Sequence, residues 1–260
     1  MGRTLLGLFL VLAIFAGLSV LGWYFVEEKI RPKPEYRLSA DRITVPEIPP
    51  WVPERFVEDV LKSSNLNQTD SLLDKTLPLK LTEAFAAHPW VERVEQVVPR
   101  YPSGADVKLS YRVPVALVSV PKEGIFLVDR YGVLLPPDHL LDPTANRQNE
   151  YLTIHEIRST PLGSVGTLWG DPIVHTGAQL AATLTDVASP LKLAHIIPPS
   201  REIKMWRLQT AAGMEIRWGT FVSDDPKTEV KIKKLWQWHE QFRSLDNVPA
   251  TLRPIDLSRE

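Results

Sequence analysis

Uncharged, mostly apolar residues run from Thr4 to Val26, broken only by Thr4, Gly7, Gly17, Ser19 and Gly22. At ~1.5 Å per residue, 23 helical residues reach about 35 Å, enough to cross the roughly 30 Å hydrocarbon core of a bilayer with some tilt. Trp23 and Tyr24 sit where amphipathic rings favour the headgroup region, and Lys29, Arg31 and Lys33 follow. The pattern predicts one retained membrane helix. A cleaved signal peptide is the competing reading, but its apolar region is usually about 7 to 15 residues and no Ala-x-Ala site follows this run.

After a charged spacer with Pro32 and Pro34, the period changes. Leu38, Ile43 and Val45 among polar neighbours predict a strand over 36–45, stopped by Pro46, Pro49 and Pro50. Pro53 opens a helix whose apolar face is Phe56, Val57, Val60 and Leu61, and a second short helix runs from Leu79 to Ala87, before Pro89. Val91 to Val98 and Val107 to Val120 predict a hairpin around the turn residues 101–105, with Pro114 marking an edge or bulge. Strand, helix, helix, strand, strand forms a compact α+β unit with its helices on one sheet face.

The rest is strand-rich with two helices. Ile125–Asp129 and Val133–Leu135 flank Arg130, Tyr131 and Gly132 as a hairpin. Asp171 and Pro172 open one helix, with Ile173, Gly177, Leu180, Leu184 and Val187 at helical spacing. Asp225 and Pro226 open another, with Ile232, Leu235, Trp238, Phe242 and Leu245 on one face and Lys227, Lys231, Lys233 and Lys234 on a solvated side. Between them, Ile203–Leu208 and Met214–Trp218 form a strand pair, and a last strand covers Thr251–Leu257. The expected fold class is therefore α+β. The expected organisation is a tail and membrane helix at 1–28, a linker at 29–35, a first domain at 36–120, and a mostly antiparallel β domain with two helices at 121–260.

Composition narrows the function. Thirty basic against 31 acidic residues, a formal charge of -1, removes the electrostatic footprint of a nucleic-acid binder. Zero cysteines excludes disulfides, thiolate metal sites and cysteine nucleophiles. The 23 prolines against 13 glycines favour many short elements over coiled coils. The six histidines, His88, His139, His155, His175, His195 and His239, show no metal-ligand spacing on a helix, and His155 beside Glu156 points to the opposite strand face. Gly163-Ser164-Val165-Gly166 misses the nucleophile-elbow spacing, and no phosphate-cradling glycine loop occurs. No catalytic, cofactor-binding or metal-binding residue is assigned.

Five segments, in order, resemble the FtsQ/DivIB family of bacterial cell-division proteins. His88-Pro89-Trp90-Val91 with Arg100-Tyr101-Pro102 resembles the run that enters the hairpin of the family's POTRA domain. Tyr111 to Ala116 resembles its junction strand, with tyrosine where the family has glutamate. Asp129 to Leu134 resembles the hairpin that begins its β domain. Gly213 to Gly219 with Lys234-Leu235, and Ile255-Asp256-Leu257, resemble its later signatures, with Ser258 in place of arginine.

The resemblance implies a non-enzymatic single-pass scaffold in the bacterial inner membrane, with most of the chain outside the cytoplasm, at the division septum. It implies a POTRA domain over 36–120, a β domain over 121–260, no cofactor, and small bitopic coiled-coil partners of the FtsB and FtsL type. Local positive charge favours the opposite orientation, because Arg3 alone precedes the span while Lys29, Arg31, Lys33, Arg37 and Arg42 follow it. That rule fades for long translocated domains.

A partner strand is expected to add to the C-terminal edge, with Thr251, Leu252, Arg253, Ile255 and Leu257 as contact residues and Trp236, on the helix side away from Trp238, as a further one. Two other readings remain open. One is an anchored envelope enzyme or ligand-binding module built near His155, Glu156 and Asp171, and the other is a POTRA-bearing secretion or transport component.

Overall fold

The computed structural model describes residues 13–23, 37–66, 72, 74–140, 147–223 and 225–259. Helix α1, described over 13–23, is solvent-exposed throughout. No helix among the described residues is long and apolar enough to cross a membrane. The expected span over 4–26 is thus described only in its middle, and the expected linker at 29–35 lies outside the described residues. The protein is α+β, in two compact units, Met1–Ser110 and Tyr111–Glu260.

The first unit runs β1 (Ile43–Thr44), α2 (Phe56–Ser63), α3 (Leu77–Ala86), β2 (Val91–Arg100) and β3 (Gly104–Tyr111). The amphipathic spacing of α2 buries Phe56, Val60 and Leu61, and that of α3 buries Leu77, Leu81, Ala84 and Phe85. The rings of Phe56 and Phe85 pack with centroids 5.8 Å apart. β3 lies between β1 and β2, parallel to β1 with Ile43 opposite Ala105. Three turn residues join β2 to β3, too few for a crossover, so that pair is antiparallel. The first strand is far shorter than the 36–45 expected from sequence: a 3-10 turn at Ala40–Arg42 precedes it, and Pro46 follows. Gly104 lets the chain pass this turn, since a Cβ there would overlap the Arg42 carbonyl oxygen.

The second unit carries β4 (Pro114–Val120), β5 (Gly124–Asp129), β6 (Leu134–Leu135), β7 (Leu152–Ile154), α4 (Pro172–Ala188), β8 (Leu193–Ile197), β9 (Trp206–Thr210), β10 (Glu215–Gly219), α5 (Pro226–Phe242) and β11 (Ile255–Asp256). These strands form one eight-stranded sheet in the order β11-β10-β9-β8-β7-β4-β5-β6. Helix α4, capped by the Asp171 carboxylate on the Ile173 N–H, packs on β4, β7 and β8 through Val174, Ala178, Leu180, Ala181 and Leu184.

Two expectations are corrected. The strand expected over 107–120 in the first domain is two strands, β3 and β4, interrupted at Arg112-Val113. β4 belongs to the eight-stranded sheet, so the division falls at 110/111 rather than 120/121. Pro114 lacks the N–H a continuous ladder would need, and pairing shifts register between Pro114 and Ala116.

The C-terminal sheet is also mixed rather than mostly antiparallel: β4 with β7, β7 with β8 and β10 with β11 are parallel. The cause is connectivity. α4 carries the chain from β7 over the sheet to β8, and such a crossover places the two strands parallel. β7 and β8 escaped the sequence reading because a three-residue strand and a short apolar run carry no readable alternation.

Candidate partner-binding edge

The C-terminal edge is built by β10 and α5. Alternation along β10 sends Ile216 and Trp218 into the core and leaves Arg217 on the opposite face. β11 adds to β10 with Ile216 opposite Ile255 and Arg217 opposite Asp256. The Leu257 N–H donates to the Arg217 carbonyl at 2.8 Å. Because backbone groups of successive strand residues point to opposite sides, the Asp256 N–H and C=O face away from β10. β11 is the terminal strand of the sheet on this side, so this is an open edge among the described residues.

The Asp256 carboxylate accepts from the Ser258 hydroxyl at 2.6 Å and from the Ser258 N–H at 2.9 Å. These two bonds, the hydroxyl first, hold it below the usual carboxylate range, with help from Arg217 and Arg259. Beside the edge a groove of about 410 Å³ is lined by Gly213, Met214, Glu215, Arg217, Arg253 and Pro254.

The residues expected to meet a partner play different parts. Only Ile255–Asp256 is strand; residues 250–252 form a 3-10 turn that leaves Thr251 and Leu252 exposed. Ile255 and Leu257 are buried, so their side chains hold the edge in place and cannot touch a partner. Arg253 ties the turn down, donating from Nε to the Val248 carbonyl at 2.7 Å and from Nη2 to the Asp246 carbonyl at 2.5 Å. Trp236 and Trp238 are both half-buried against the core, and Trp236 meets His239 edge-on at 5.7 Å. The fully buried face of α5 is Thr228, Lys231 and Leu235.

Lys231 was expected in solvent. It is instead 4% exposed, with Nζ donating to the Trp218 carbonyl at 2.7 Å and lying 5.3 Å from the centre of the Trp218 ring. Helical periodicity places position 231 under Leu235, and its long stem reaches the carbonyls at the end of β10.

Of the residues named for an enzymatic reading, Asp171 is engaged in a local network. The second carboxylate oxygen of Asp171 accepts from the Ser159 hydroxyl at 2.5 Å, and that hydroxyl accepts from the Trp169 indole N–H at 3.2 Å. Glu156 occupies the turn after β7 with φ +60.

A contact that sequence spacing did not reveal joins His155 and His195. Nε2 of the first is 2.9 Å from Nδ1 of the second, and the rings are inclined at 80°. Burial and the neighbouring His195 lower the pKa of His155, against a smaller raising effect of Glu156, and burial lowers that of His195. The two lie 40 positions apart, so only the β7–β8 pairing could have disclosed them. Among the described residues no group of three His, Asp or Glu side chains is placed to hold a metal ion. No protein-family model matches the chain, and no curated protein matches it.

Proposed function

We propose that this chain is a non-enzymatic, single-pass membrane scaffold of the bacterial division machinery, resembling FtsQ and DivIB, that captures partner proteins by strand addition. The observation that carries the reading is the open edge of β11, with the outward backbone groups of Asp256 and a groove beside it bearing Glu215, Arg217 and Arg253. A partner strand laid there gains main-chain hydrogen bonds from the edge and side-chain contacts from the groove.

The element order supports it. The β-α-α-β-β order of the first unit is the order that the resemblance to a POTRA domain implies. Family-like segments fall at two joints of the fold, along β10 and at the edge. His88 to Val91 turn α3 into β2, Asp129 to Leu134 turn β5 into β6, Gly213 to Gly219 form β10 with its approach, and Ile255 to Leu257 form the edge. In this reading the apolar 4–26 segment anchors the chain in the inner membrane, the two units lie outside the cytoplasm at the septum, and the partners are small bitopic coiled-coil proteins of the FtsB and FtsL type.

Removing residues 251–260 would also remove core side chains, so a backbone substitution is the sharper test. Asp256→Pro deletes the outward N–H and leaves Ile255 and Leu257 in place. The folded full-length variant is expected to lose capture of the division proteins while still inserting in the membrane. Undiminished capture would remove this edge from the reading. An N-terminal fluorescent fusion should gather at the division site before constriction, and uniform envelope fluorescence from a functional fusion would overturn the assignment to division.

A further inference from the structure

His155 and His195 sit on the sheet face opposite α4. Ile154 and Ile196, their neighbours in the chain, are fully buried on the α4 side, so alternation turns both histidines the other way. Thr153 pairs with His195 in register, which places His155 one pleat further along the same face. Gln209 of β9 lies opposite His195. Both imidazoles are half-buried, and their facing nitrogens are 2.9 Å apart.

That separation has a chemical meaning. Two nitrogen donors bound to one divalent ion at about 2.0–2.1 Å each stand ~2.9 Å apart when the angle at the metal is a right angle, and ~3.3 Å apart when it is tetrahedral. A right angle is the relation between neighbouring positions of a tetragonal centre, the geometry preferred by Cu(II) and Ni(II) with imidazole ligands.

We propose that His155 Nε2 and His195 Nδ1 form a two-histidine site for a tetragonal divalent cation, Cu(II) or Ni(II), on the face of the second unit away from α4. In the hydrogen-bonded pair one ring donates its N–H to the lone pair of the other. Binding requires that proton to move to the donor ring's second nitrogen, so that both facing nitrogens offer a lone pair to the ion, with water completing the coordination. The pair is then neutral before and after, and no proton is released. Two protein ligands make the ion exchangeable rather than structural, so the fold does not depend on it.

The test is a titration of the full-length, detergent-solubilised protein, free of any polyhistidine tag, with copper(II) sulfate and nickel(II) sulfate at neutral pH. One equivalent is expected to bind, with a copper electron-spin resonance spectrum showing two imidazole nitrogens. His155→Gln and His195→Gln should each weaken binding at least tenfold, while His239→Gln leaves it unchanged. Absence of stoichiometric uptake, or the same affinity in folded His155→Gln and His195→Gln proteins, would overturn the site. If either variant fails to fold, the wild-type copper spectrum decides: fewer than two imidazole nitrogens refutes the proposal. Neither result depends on partner capture, so the site can fail while the scaffold reading stands.

Discussion

Arg112 and Asp129 form an ion pair in the second unit, with Nη1 2.7 Å from Oδ2 and the Asp129 side chain only 2% exposed. The other carboxylate oxygen accepts the backbone N–H groups of Tyr131 and Val133, each at 2.9 Å. One buried carboxylate therefore closes the β5–β6 turn and fastens the segment ahead of β4 to it. Removing one partner of such a pair strands the other charge, which costs about 3–5 kcal/mol. Asp129→Ala is expected to destabilise the second unit by that order, and Asp129→Asn by less, because an amide oxygen still accepts from the turn. Urea unfolding measures both, and a loss within about 0.5 kcal/mol for Asp129→Ala would show that the pair is not what holds this turn.

The clamp made by Lys231 gives a second expectation. Its ammonium reaches the Trp218 carbonyl at 2.7 Å and the Thr220 carbonyl at 3.4 Å, joining α5 to the end of β10. Lys231→Met keeps the packing of the stem and takes the ammonium donor from the buried Trp218 carbonyl, which costs about 1–3 kcal/mol. Lys231→Ala adds the loss of the stem and should cost more. A chemical denaturation series followed by tryptophan fluorescence would reveal this order, and equal stability of Lys231→Met and wild type would refute the clamp.

How far the sequence disclosed these features depends on the range over which each signal acts. Capped helices were legible: Asp171-Pro172 and Asp225-Pro226 announce α4 and α5 through local hydrogen bonds that the structure reproduces. The long β2 was legible from its β-branched residues. β7 and β8 were not, because their order comes from neighbours far along the chain and from α4 above them. Missing them hid the meeting of His155 with His195. Lys231 shows a related conflict: its residue type argues for water, while its phase on the helix, set by Thr228 and Leu235, places it inside. At the C-terminal edge a strand offers two faces, and only the packed structure distinguishes the core face, which takes Ile255 and Leu257.

The position of β11 rests on a close approach at Gly219. This residue has φ +91, and a Cβ on it would lie 2.8 Å from the Cα of Ser258. An alanine there must accept both a left-handed conformation and a backbone collision, and relief is available only by moving β11 away from β10. Gly219→Ala is expected to weaken the hydrogen bond from the Leu257 N–H to the Arg217 carbonyl, seen as faster hydrogen exchange at the Leu257 amide, with little change in the first unit. If strand addition at this edge is how partners are held, capture should fall in parallel. Unchanged exchange at Leu257 would mean that the C-terminal strand does not depend on this glycine.

The first unit carries its own pH dependence at His88. Burial lowers the pKa of this imidazole below its ordinary value near 6.5, against a weaker raising effect of Asp59. Its ring meets Phe56 edge-on at 4.8 Å, and its Nδ1 accepts from the Trp90 N–H at 3.3 Å, a bond that only an unprotonated Nδ1 can make. The unfolded chain therefore takes up a proton at higher pH than the folded one does. The stability contributed by neutral His88 is present above about pH 6.5 and is lost as the pH falls through that value toward the lower folded pKa. His155 and His195 shift in the same direction, so the comparison must isolate His88. Between pH 7.5 and 5.5 the urea midpoint of the wild type should fall further than that of His88→Gln, whose side chain cannot titrate. Parallel falls in the two proteins would show that the buried imidazole is not the source.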